Sequence, residues 1–249
     1  MNCPLCKSSD TESFEVREDA LYYRYCVGCG SFYLNDTSQQ DRTIYERPAE
    51  MYFGQEYQER YQELFNYFRK TIEFNIGKEK GSFLEIGFCN PAILTMLAKE
   101  GWQTTGIDLT TCEELETILN KANVRFIHDD VLNTNLDEQF DVVWATHVVE
   151  HFCLRDLEFL LEQMRNWVSD TGIIIITSPD AGLRFTNHPL LLNFLKPAEH
   201  HFVCSESAFL NIARRCGLRR IWSQIAHQDQ GFQTKGEWRM AFRKSDVPR

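Results

Sequence analysis

The sequence lacks a long apolar run, and none of its hydrophobic segments approaches the length of a membrane-spanning helix. Its first residues also lack the basic start and apolar core that are typical of a secretory signal peptide. It contains no internal repeat and no long low-complexity segment. Together these absences predict a globular protein without a membrane partner, and we expect it in the cytoplasm.

Basic residues are scarce relative to acidic ones. The chain has 26 Lys and Arg residues against 36 Asp and Glu residues, which gives a formal net charge of −10 at pH 7. Tight binding to nucleic acid without sequence preference needs a basic face that contacts phosphates. The charge therefore disfavours a nucleic-acid partner, although a local basic patch is compatible with it.

The length and the cysteine usage bound the architecture. With 249 residues and 43% hydrophobic content, the chain can bury a sizeable core as one large domain, or as one domain and a small module. Nine cysteines are enough for several disulfides. Because some of them cluster in pairs within an otherwise ordinary intracellular composition, metal ligation and free thiols are the favoured interpretation.

Four of the cysteines form two Cys-x-x-Cys pairs near the N-terminus, Cys3 with Cys6 and Cys26 with Cys29. Each pair can point two thiolates at one ion, and 19 residues separate the pairs, so the spacing predicts a zinc ribbon over residues 1–36. Four thiolates leave no open position on a tetrahedral zinc ion, and the expected role of the metal is structural. An iron site is the less favoured alternative.

The stretch from Gly81 to Asp108 has the pattern of a strand, a tight turn, a helix and a second strand. A short apolar run ends at Gly87, and Pro91 suits the first helical turn because its missing N–H would have no partner there. Asp108 stands at the carboxyl end of the second strand, 21 residues after Gly87. This is the layout of a dinucleotide-binding unit, in which an acid holds the ribose hydroxyls.

The turn departs from that layout in one respect. It reads Gly87-Phe-Cys-Asn-Pro91 and keeps only the first glycine of a glycine-rich turn. A pyrophosphate needs close backbone approach and free N–H groups at the start of the helix, which this turn supplies poorly. The sequence therefore favours a nucleoside ligand without phosphate.

Several segments, which together cover about residues 80–225, resemble class I S-adenosylmethionine (SAM) methyltransferases: FLEIGFCNPAILTMLAKEGWQTTGID, FIHDDVLN, FDVVWATHVVEHF and DTGIIIITSPD. Glu85 and Gly87 occupy matching positions in the acidic turn of that family. The resemblance implies that SAM is the cofactor, with Asp108 on its ribose and Asp130 on its adenine.

The resemblance also implies a fold and a domain order. We expect an α/β protein with a Rossmann-like, seven-stranded, mostly parallel sheet and helices on both faces. Residues 80–249 form this methyltransferase domain in the prediction, after the zinc ribbon of residues 1–36 and a helical cover or linker over residues 37–79. Tyrosines and apolar residues of the cover share a helical face, which favours packing on the main domain. A lid over cofactor and substrate is the alternative.

Four polar residues follow the predicted fourth strand of the domain: Thr146, His147, Glu150 and His151. Ligands of open α/β sheets sit beyond the strand ends, so we assign Thr146 to the cofactor side of the site. A histidine there can take a proton from an acceptor hydroxyl or amine. His151 is the leading candidate base and His147 the second, while a purely structural role for His151 is equally consistent with the sequence.

The same residues suggest a second metal. The pattern His147-x-x-Glu150-His151 resembles the metal-binding position of the ubiquinone-pathway O-methyltransferases, in which the first residue is usually acidic. A further group of candidate polar residues lies in the irregular segment that ends at Cys204: His188, Glu199, His200 and His201. In the methyltransferase family, insertions at this place shape the acceptor pocket. A role in loop structure is the alternative.

These features predict a SAM-dependent methyltransferase that acts on a small-molecule acceptor, with a nucleotide sugar or another saccharide as the favoured class. Two alternatives stay open at this point. The ribbon could grip RNA for base methylation, or the altered turn could mark a binding protein without turnover. The sequence does not indicate an oligomeric state.

Overall fold

A computed structural model describes residues 2–18, 21–35, 55–182, 193–226 and 236–245. Its centre is a seven-stranded sheet. The strands are β4 (Ser82–Ile86), β5 (Gln103–Asp108), β6 (Arg125–His128), β7 (Phe140–Thr146), β8 (Val168–Pro179), β10 (Leu218–Ala226) and β11 (Glu237–Lys244). In the sheet they lie in the order β6-β5-β4-β7-β8-β11-β10. All of them run in one direction except β11, which pairs antiparallel with both β8 and β10, and this mostly parallel arrangement confirms the predicted fold.

Five helices border the described part of this sheet: α1 (Gln55–Ile76), α2 (Ala92–Lys99), α3 (Glu113–Lys121), α4 (Leu154–Trp167) and α5 (Glu206–Arg215). Alternate residues of the central strands point to opposite faces, so each face builds a separate core. On β4, Phe83 packs with residues of α1, α2 and α3, whereas Leu84 packs with residues of α4 and α5. The helices therefore cover both faces of the sheet, as the sequence predicts.

The long helix α1 packs its apolar side on one face of the sheet. Leu64, Phe65 and Phe68 are buried, and the Phe68 ring meets the Trp144 ring edge to face with 5.1 Å between centroids. Two further members of the predicted helical face, Tyr57 and Tyr61, lie outside the residues whose side chains are described. Within the described residues, no helix combines the length and the hydropathy that crossing a bilayer requires.

A second sheet joins the N-terminal region to the main domain. It contains β1 (Thr11–Glu18), β2 (Leu21–Cys26), β3 (Ser31–Leu34) and the two-residue strand β9 (Phe202–Val203) in that order. Strand β9 comes from the segment before α5 and pairs antiparallel with β3. Sequence reasoning did not predict this pairing, because two residues carry no alternating pattern.

Hydrogen bonds reinforce the junction between the two sheets. The Tyr23 hydroxyl donates to the carbonyl oxygen of His200 at 2.7 Å, and the Leu34 N–H donates to the carbonyl oxygen of His201 at 2.9 Å. The Ser205 hydroxyl donates to the carbonyl oxygen of Cys29 at 2.6 Å. The cysteine-bearing region is thereby bonded to the segment that carries the candidate histidines.

Candidate active site

The carboxyl ends of β4, β5 and β7 bring several of the predicted site residues to one edge of the sheet, because these strands are neighbours. Gly87 follows β4 with a left-handed φ of +63°. A Cβ atom added to it would lie 2.7 Å from Cγ2 of Val148, which follows β7. Only glycine fits this position without displacing Val148, so the single glycine kept in the turn is the one that the backbone requires.

Side chains and backbone groups hold the rest of the turn in place of the missing glycines. Cys89 has a φ of +48°, and its N–H donates to Oδ2 of Asp108 at 2.9 Å. The Asn90 side-chain oxygen accepts from the N–H of Ala92 at 2.8 Å, at the first residue of α2. Asn90 thus occupies an N–H group that a phosphate would otherwise take, which agrees with a ligand that lacks phosphate.

Asp108 is buried at the end of β5 and uses both carboxylate oxygens. Oδ1 accepts from the N–H of Thr110 at 2.8 Å, while Oδ2 accepts from Cys89. Burial raises the pKa of Asp108, and these two N–H groups oppose the rise. The Thr110 side chain is also hydrogen-bonded to the carboxylate. Because each carboxylate oxygen has two lone pairs, Asp108 keeps the capacity to accept from a ribose hydroxyl.

Glu85 is 1% exposed at the end of β4. Its Oε2 atom has no hydrogen-bond partner among the described residues. Burial raises the pKa of Glu85 well above its ordinary value, and the nearby charge of Asp108 adds to the rise, so the protonated form is favoured. A buried polar atom of this kind is expected to meet a ligand or an ordered water.

Two further predicted cofactor residues lie along the same edge. Thr146 is the last residue of β7 and is buried, and its hydroxyl has no hydrogen-bond partner within the described part of the chain. Asp130 follows β6, and its Oδ1 accepts from the N–H of Leu132 at 2.9 Å. The edge thus offers acceptors for hydroxyls and unsatisfied polar atoms at four adjacent strands, a donor and acceptor set that fits the adenosyl part of SAM.

His147 lies between two buried glutamates. Its φ is +53°, its side chain is 28% exposed, and its Nε2 is 2.9 Å from Oε2 of Glu237. Its Nδ1 is 3.3 Å from Oε1 of Glu150. Burial opposes a charge on His147, but the two carboxylates outweigh it and raise the pKa to about 9. Correspondingly, burial of Glu150 is outweighed by His147, and the pKa of Glu150 falls to about 2.

The partner Glu237 is a residue that sequence reasoning missed. It lies on β11, 90 positions from His147, and its Oε1 accepts from Nε of the buried Arg239 at 2.6 Å. The Arg239 guanidinium lies over the Tyr67 ring of α1, 5.1 Å from its centroid. The nearest signal in the sequence was the alternating pattern of β11, which put both charged residues on one face without revealing their partners.

His151, the leading candidate base, lies beside His200. Nδ1 of His151 is 2.9 Å from the carbonyl oxygen of Glu199, and the two histidine rings are 4.8 Å apart. Nδ1 of His200 is 2.7 Å from the carbonyl oxygen of Phe194. Burial, together with the neighbouring His151, lowers the pKa of His200 to about 4.

Two further histidines belong to that segment, and the structure describes one of them. His201 is buried, and its N–H donates to the carbonyl oxygen of Glu150 at 2.8 Å. His188, also named by the sequence analysis, lies outside the described residues. The structure therefore brings His147, Glu150, His151 and His200 together and gives no position for His188.

The four N-terminal cysteines converge, with ligand atoms within 4.8 Å of one another. Sγ of Cys3 is 3.8 Å from Sγ of Cys29, and Sγ of Cys6 is 3.5 Å from Sγ of Cys26. Zinc–thiolate bonds of about 2.3 Å in a tetrahedron place sulfur atoms about 3.8 Å apart. The two measured sulfur–sulfur distances are therefore close to those of a zinc–thiolate site.

Comparison with known proteins agrees with this geometry. The chain matches the family model of a methyltransferase domain over residues 53–224. No curated protein is similar enough to this sequence to count as a match.

Several solved structures share the fold. The chain is similar to the PH0226 protein of Pyrococcus horikoshii OT3 at 15% identity and a TM-score of 0.60, with 82% of this chain and 100% of that chain covered. For the 1,6-didemethyltoxoflavin-N1-methyltransferase of Burkholderia thailandensis, with bound 1,6-didemethyltoxoflavin and S-adenosylhomocysteine, identity is 12%, the TM-score 0.59 and coverage 94% and 100%. For the N-methyltransferase NodS of Bradyrhizobium japonicum WM9, in complex with S-adenosyl-l-homocysteine, identity is 14% and the TM-score 0.52, with 84% of this chain and 93% of that chain covered.

Proposed function

Because the chain belongs to the SAM-dependent methyltransferases of class I, we propose that it transfers a methyl group from SAM to a small-molecule acceptor that carries hydroxyl groups. The acceptor class that we favour is a saccharide, including nucleotide sugars. The observation that carries the proposal is the convergence of cofactor-type residues with a group of histidines and glutamates at one edge of the sheet.

We assign the cofactor side of the site to the ends of β4, β5, β6 and β7. Asp108 would accept from the ribose hydroxyls, and Asp130 would accept from the adenine amino group. Glu85 and Thr146 supply the buried polar atoms Oε2 and Oγ1 toward the same edge. When bound, SAM supplies an electrophilic methyl group on a sulfonium centre, and the residues of the chain orient it toward the acceptor.

The acceptor side of the site combines buried charges of both signs. Glu150 and Glu237 face His147, and Arg239 bonds Glu237. Carboxylates and imidazoles are hydrogen-bonding groups that suit a polyhydroxylated acceptor. Since two carboxylates hold the pKa of His147 at about 9, this residue is charged near neutral pH and orients its neighbours instead of accepting a proton.

His151 is therefore the residue to which we assign proton handling. If its Nδ1–H donates to the Glu199 carbonyl, the neutral ring carries its lone pair on Nε2. Such a nitrogen can remove a proton from an acceptor hydroxyl as the new bond to the methyl carbon forms. Much of the acceleration would still come from positioning the two reactants.

We also propose that Cys3, Cys6, Cys26 and Cys29 bind one structural zinc ion. The support is the sulfur geometry, together with the bond from Ser205 to the Cys29 carbonyl that links the cluster to the main domain. A small sheet of this kind has too little core to be stable alone. Zinc would supply the missing stabilisation.

Calorimetric titration with SAM tests the proposed function. We expect the wild-type protein to bind SAM, and Asp108→Ala to weaken binding by about 1.5–3 kcal/mol, the range for a hydrogen bond to a charged group. The matched control is Asp137→Ala, which removes an exposed acid in the loop before β7 and should leave the affinity nearly unchanged. Absence of SAM binding by the wild type would contradict the proposal and favour a binding protein without turnover.

The acceptor class needs its own measurement. Incubation with SAM and a panel of nucleotide sugars and free saccharides, followed by mass spectrometry, should reveal an acceptor that gains one methyl group. The competing class is RNA, whose binding would weaken steeply as salt is added, because each neutralised phosphate releases a counterion. With a net charge of −10, we expect only weak RNA binding at physiological salt. Tight, salt-sensitive binding that needs residues 1–36 would overturn the small-molecule assignment.

A further inference from the structure

A second group of metal-ligating side chains lies at the carboxyl end of β7, separate from the cysteines. Glu150, His151 and His200 each offer one ligand atom, and these atoms lie within 4.8 Å of one another. Glu150 and His200 are buried, and His151 is partly buried. Two imidazoles and one carboxylate form a donor set that suits divalent zinc, iron, cobalt or manganese.

Both imidazoles are oriented as metal-ligating histidines usually are. In each ring Nδ1 lies within hydrogen-bond distance of a backbone carbonyl, at 2.9 Å from Glu199 for His151 and at 2.7 Å from Phe194 for His200. A carbonyl can only accept, so Nδ1 carries the proton and the lone pair of the neutral ring is on Nε2. Such outer partners fix the tautomer and the ring orientation of histidine ligands in proteins.

The carboxylate of the group is held by an outer partner as well. The Ser178 hydroxyl donates to Oε2 of Glu150 at 3.0 Å, and Oε1 is 3.3 Å from Nδ1 of His147. The backbone carbonyl of Glu150 accepts from the N–H of His201, which ties the end of β7 to the segment that carries His200. The ligands therefore come from two separate segments whose relative position is fixed by backbone bonding.

We propose that Glu150, His151 and His200 bind one divalent transition-metal ion. Bonds of about 2.0–2.1 Å in a tetrahedron would separate the ligand atoms by about 3.3 Å, so the side chains need to close by at most about 1.5 Å. The sequence suggested His147, Glu150 and His151 for a second metal, whereas His147 here contacts Glu150 and Glu237 and His200 takes its place in the cluster.

The role of the ion rests on the proposed function, although its binding does not. A cation at this edge of the sheet would be next to the acceptor, where it lowers the pKa of a nearby hydroxyl. His151 would then serve as a ligand, and the cation would take over the task of promoting proton loss. Removal of the metal would lower methyl transfer while leaving SAM affinity unchanged.

Titration with Co²⁺ in the absence of SAM and acceptor tests the site directly. The starting protein is the full chain as purified, treated with a mild chelator, with its zinc content counted. We expect one Co²⁺ per chain to bind with the visible d–d absorption of a tetrahedral ion and without the near-ultraviolet thiolate-to-cobalt bands that a cysteine site would give. Because neither SAM nor acceptor is present, this result and the methyl-transfer result can fail independently.

Variants assign the ligands. His200→Ala and Glu150→Gln should each weaken Co²⁺ by about 100-fold or more, beyond the 10–100-fold typical for loss of an outer partner. His128→Ala, which removes an exposed histidine at the end of β6, should bind Co²⁺ as the wild type does. Failure of the wild type to bind Co²⁺ outside the cysteine site would overturn the proposal, and so would unchanged affinity in both ligand variants.

Zinc retained by the cysteines reports whether a variant is folded, because β9 next to His200 pairs with β3 of the cysteine-bearing sheet. If His200→Ala loses that zinc, Glu150→Gln decides the question, since glutamine keeps the volume of the side chain and its capacity to accept from Ser178. Loss of Co²⁺ with zinc retained supports the site, and Co²⁺ bound as tightly as in the wild type contradicts it.

Discussion

At the scale of single residues, the turn after β4 shows how little glycine this site needs. Cys89 and His147 both hold positive φ values without being glycine, and each is fixed by a carboxylate, Asp108 for the Cys89 N–H and Glu237 for the His147 ring. Backbone strain of this kind is usually of order 1–3 kcal/mol and persists where the surroundings over-determine it. Gly87 is different, because Val148 leaves no room for a side chain.

Substitution of Gly87 separates crowding from backbone conformation. Gly87→Ala should lower the free energy of unfolding by about 2–3 kcal/mol and weaken SAM binding, because strain and contact with Val148 act together. Gly77→Ala is the matched control: its φ is +68°, but no described atom lies within 4 Å of an added Cβ. The control should cost about 1 kcal/mol and leave SAM binding intact. If urea denaturation gave the same loss of unfolding free energy for both variants, the result would show that Val148 does not crowd Gly87.

Glu85 should make stability depend on pH. Its folded pKa is raised, so the folded state holds a proton that the unfolded state releases above its own ordinary pKa near 4.5. The associated stability is present below about pH 4.5 and is lost as pH rises toward the folded pKa. Glu85→Gln cannot release a proton, so its unfolding free energy should fall less between pH 5 and pH 8 than that of the wild type. Parallel pH profiles of the two proteins, measured by thermal melting without SAM, would contradict this account.

The positions of the proposed cofactor residues at one edge of the sheet could be predicted because each one lies at the end of a strand that the sequence reveals locally. Glu85, Gly87 and Asp108 take their places from the apolar runs of β4 and β5. Glu237 and His200 could not be placed in this way, because their contacts with His147 and His151 join segments that are far apart in the chain and have no common pattern.

At the scale of elements, the decisive pairing is between β3 and β9. The central strands and the main helices follow from apolar periodicity, and Ser205 caps α5 by accepting from the N–H of Ala208. Strand β9 is only two residues long and is defined by its partner, so no pattern within it could reveal it. Local sequence signals therefore describe the sheet of the main domain well and its link to the cysteines poorly.

Removal of a single hydroxyl should weaken the link between the N-terminal sheet and the main domain. Tyr23→Phe removes the donor to the His200 carbonyl and should lower the free energy of unfolding by about 0.5–1.5 kcal/mol. Tyr22→Phe removes the neighbouring hydroxyl on the opposite, more exposed side of β2 and should change stability by less than about 0.5 kcal/mol. Chemical denaturation of both variants measures the difference. A larger loss in Tyr22→Phe than in Tyr23→Phe would rule out the proposed contribution of the bond to His200.

At the scale of the whole molecule, the cysteine cluster and the proposed acceptor side of the site are built on the same hydrophobic core. Cys3 and Cys26 belong to the same buried cluster as residues of β7, α4 and α5. The N-terminal sheet therefore adds to the core that supports the carboxyl edge of the large sheet. We therefore expect a substitution of one of the cysteines to alter the order of the segment that carries His200, although the group of Glu150, His151 and His200 contains no cysteine.

Loss of the proposed zinc ion should make this coupling measurable. Cys26→Ser should release about one zinc per chain and increase hydrogen exchange both in β3 and in residues 202–205, because β9 loses its ordered partner. Strand β6, at the far edge of the large sheet, should keep its protection and serves as the internal control. Full zinc content in Cys26→Ser, or unchanged exchange in residues 202–205 after zinc loss, would contradict the coupling.

The pairing of β3 with β9 also sets an order for assembly on the ribosome. Ser31 and Ser205, which are bonded across this junction, are 174 positions apart. At translation rates of about 5–20 residues per second, β3 waits roughly 10–30 s for its partner strand to be synthesised. During that time its edge is open to pairing with other nascent chains. A zinc ion bound early by the cysteines would hold β3 in place against β2, so that β3 mispairs less often before β9 is synthesised. The supply of metal during synthesis would then affect the yield of correctly folded protein.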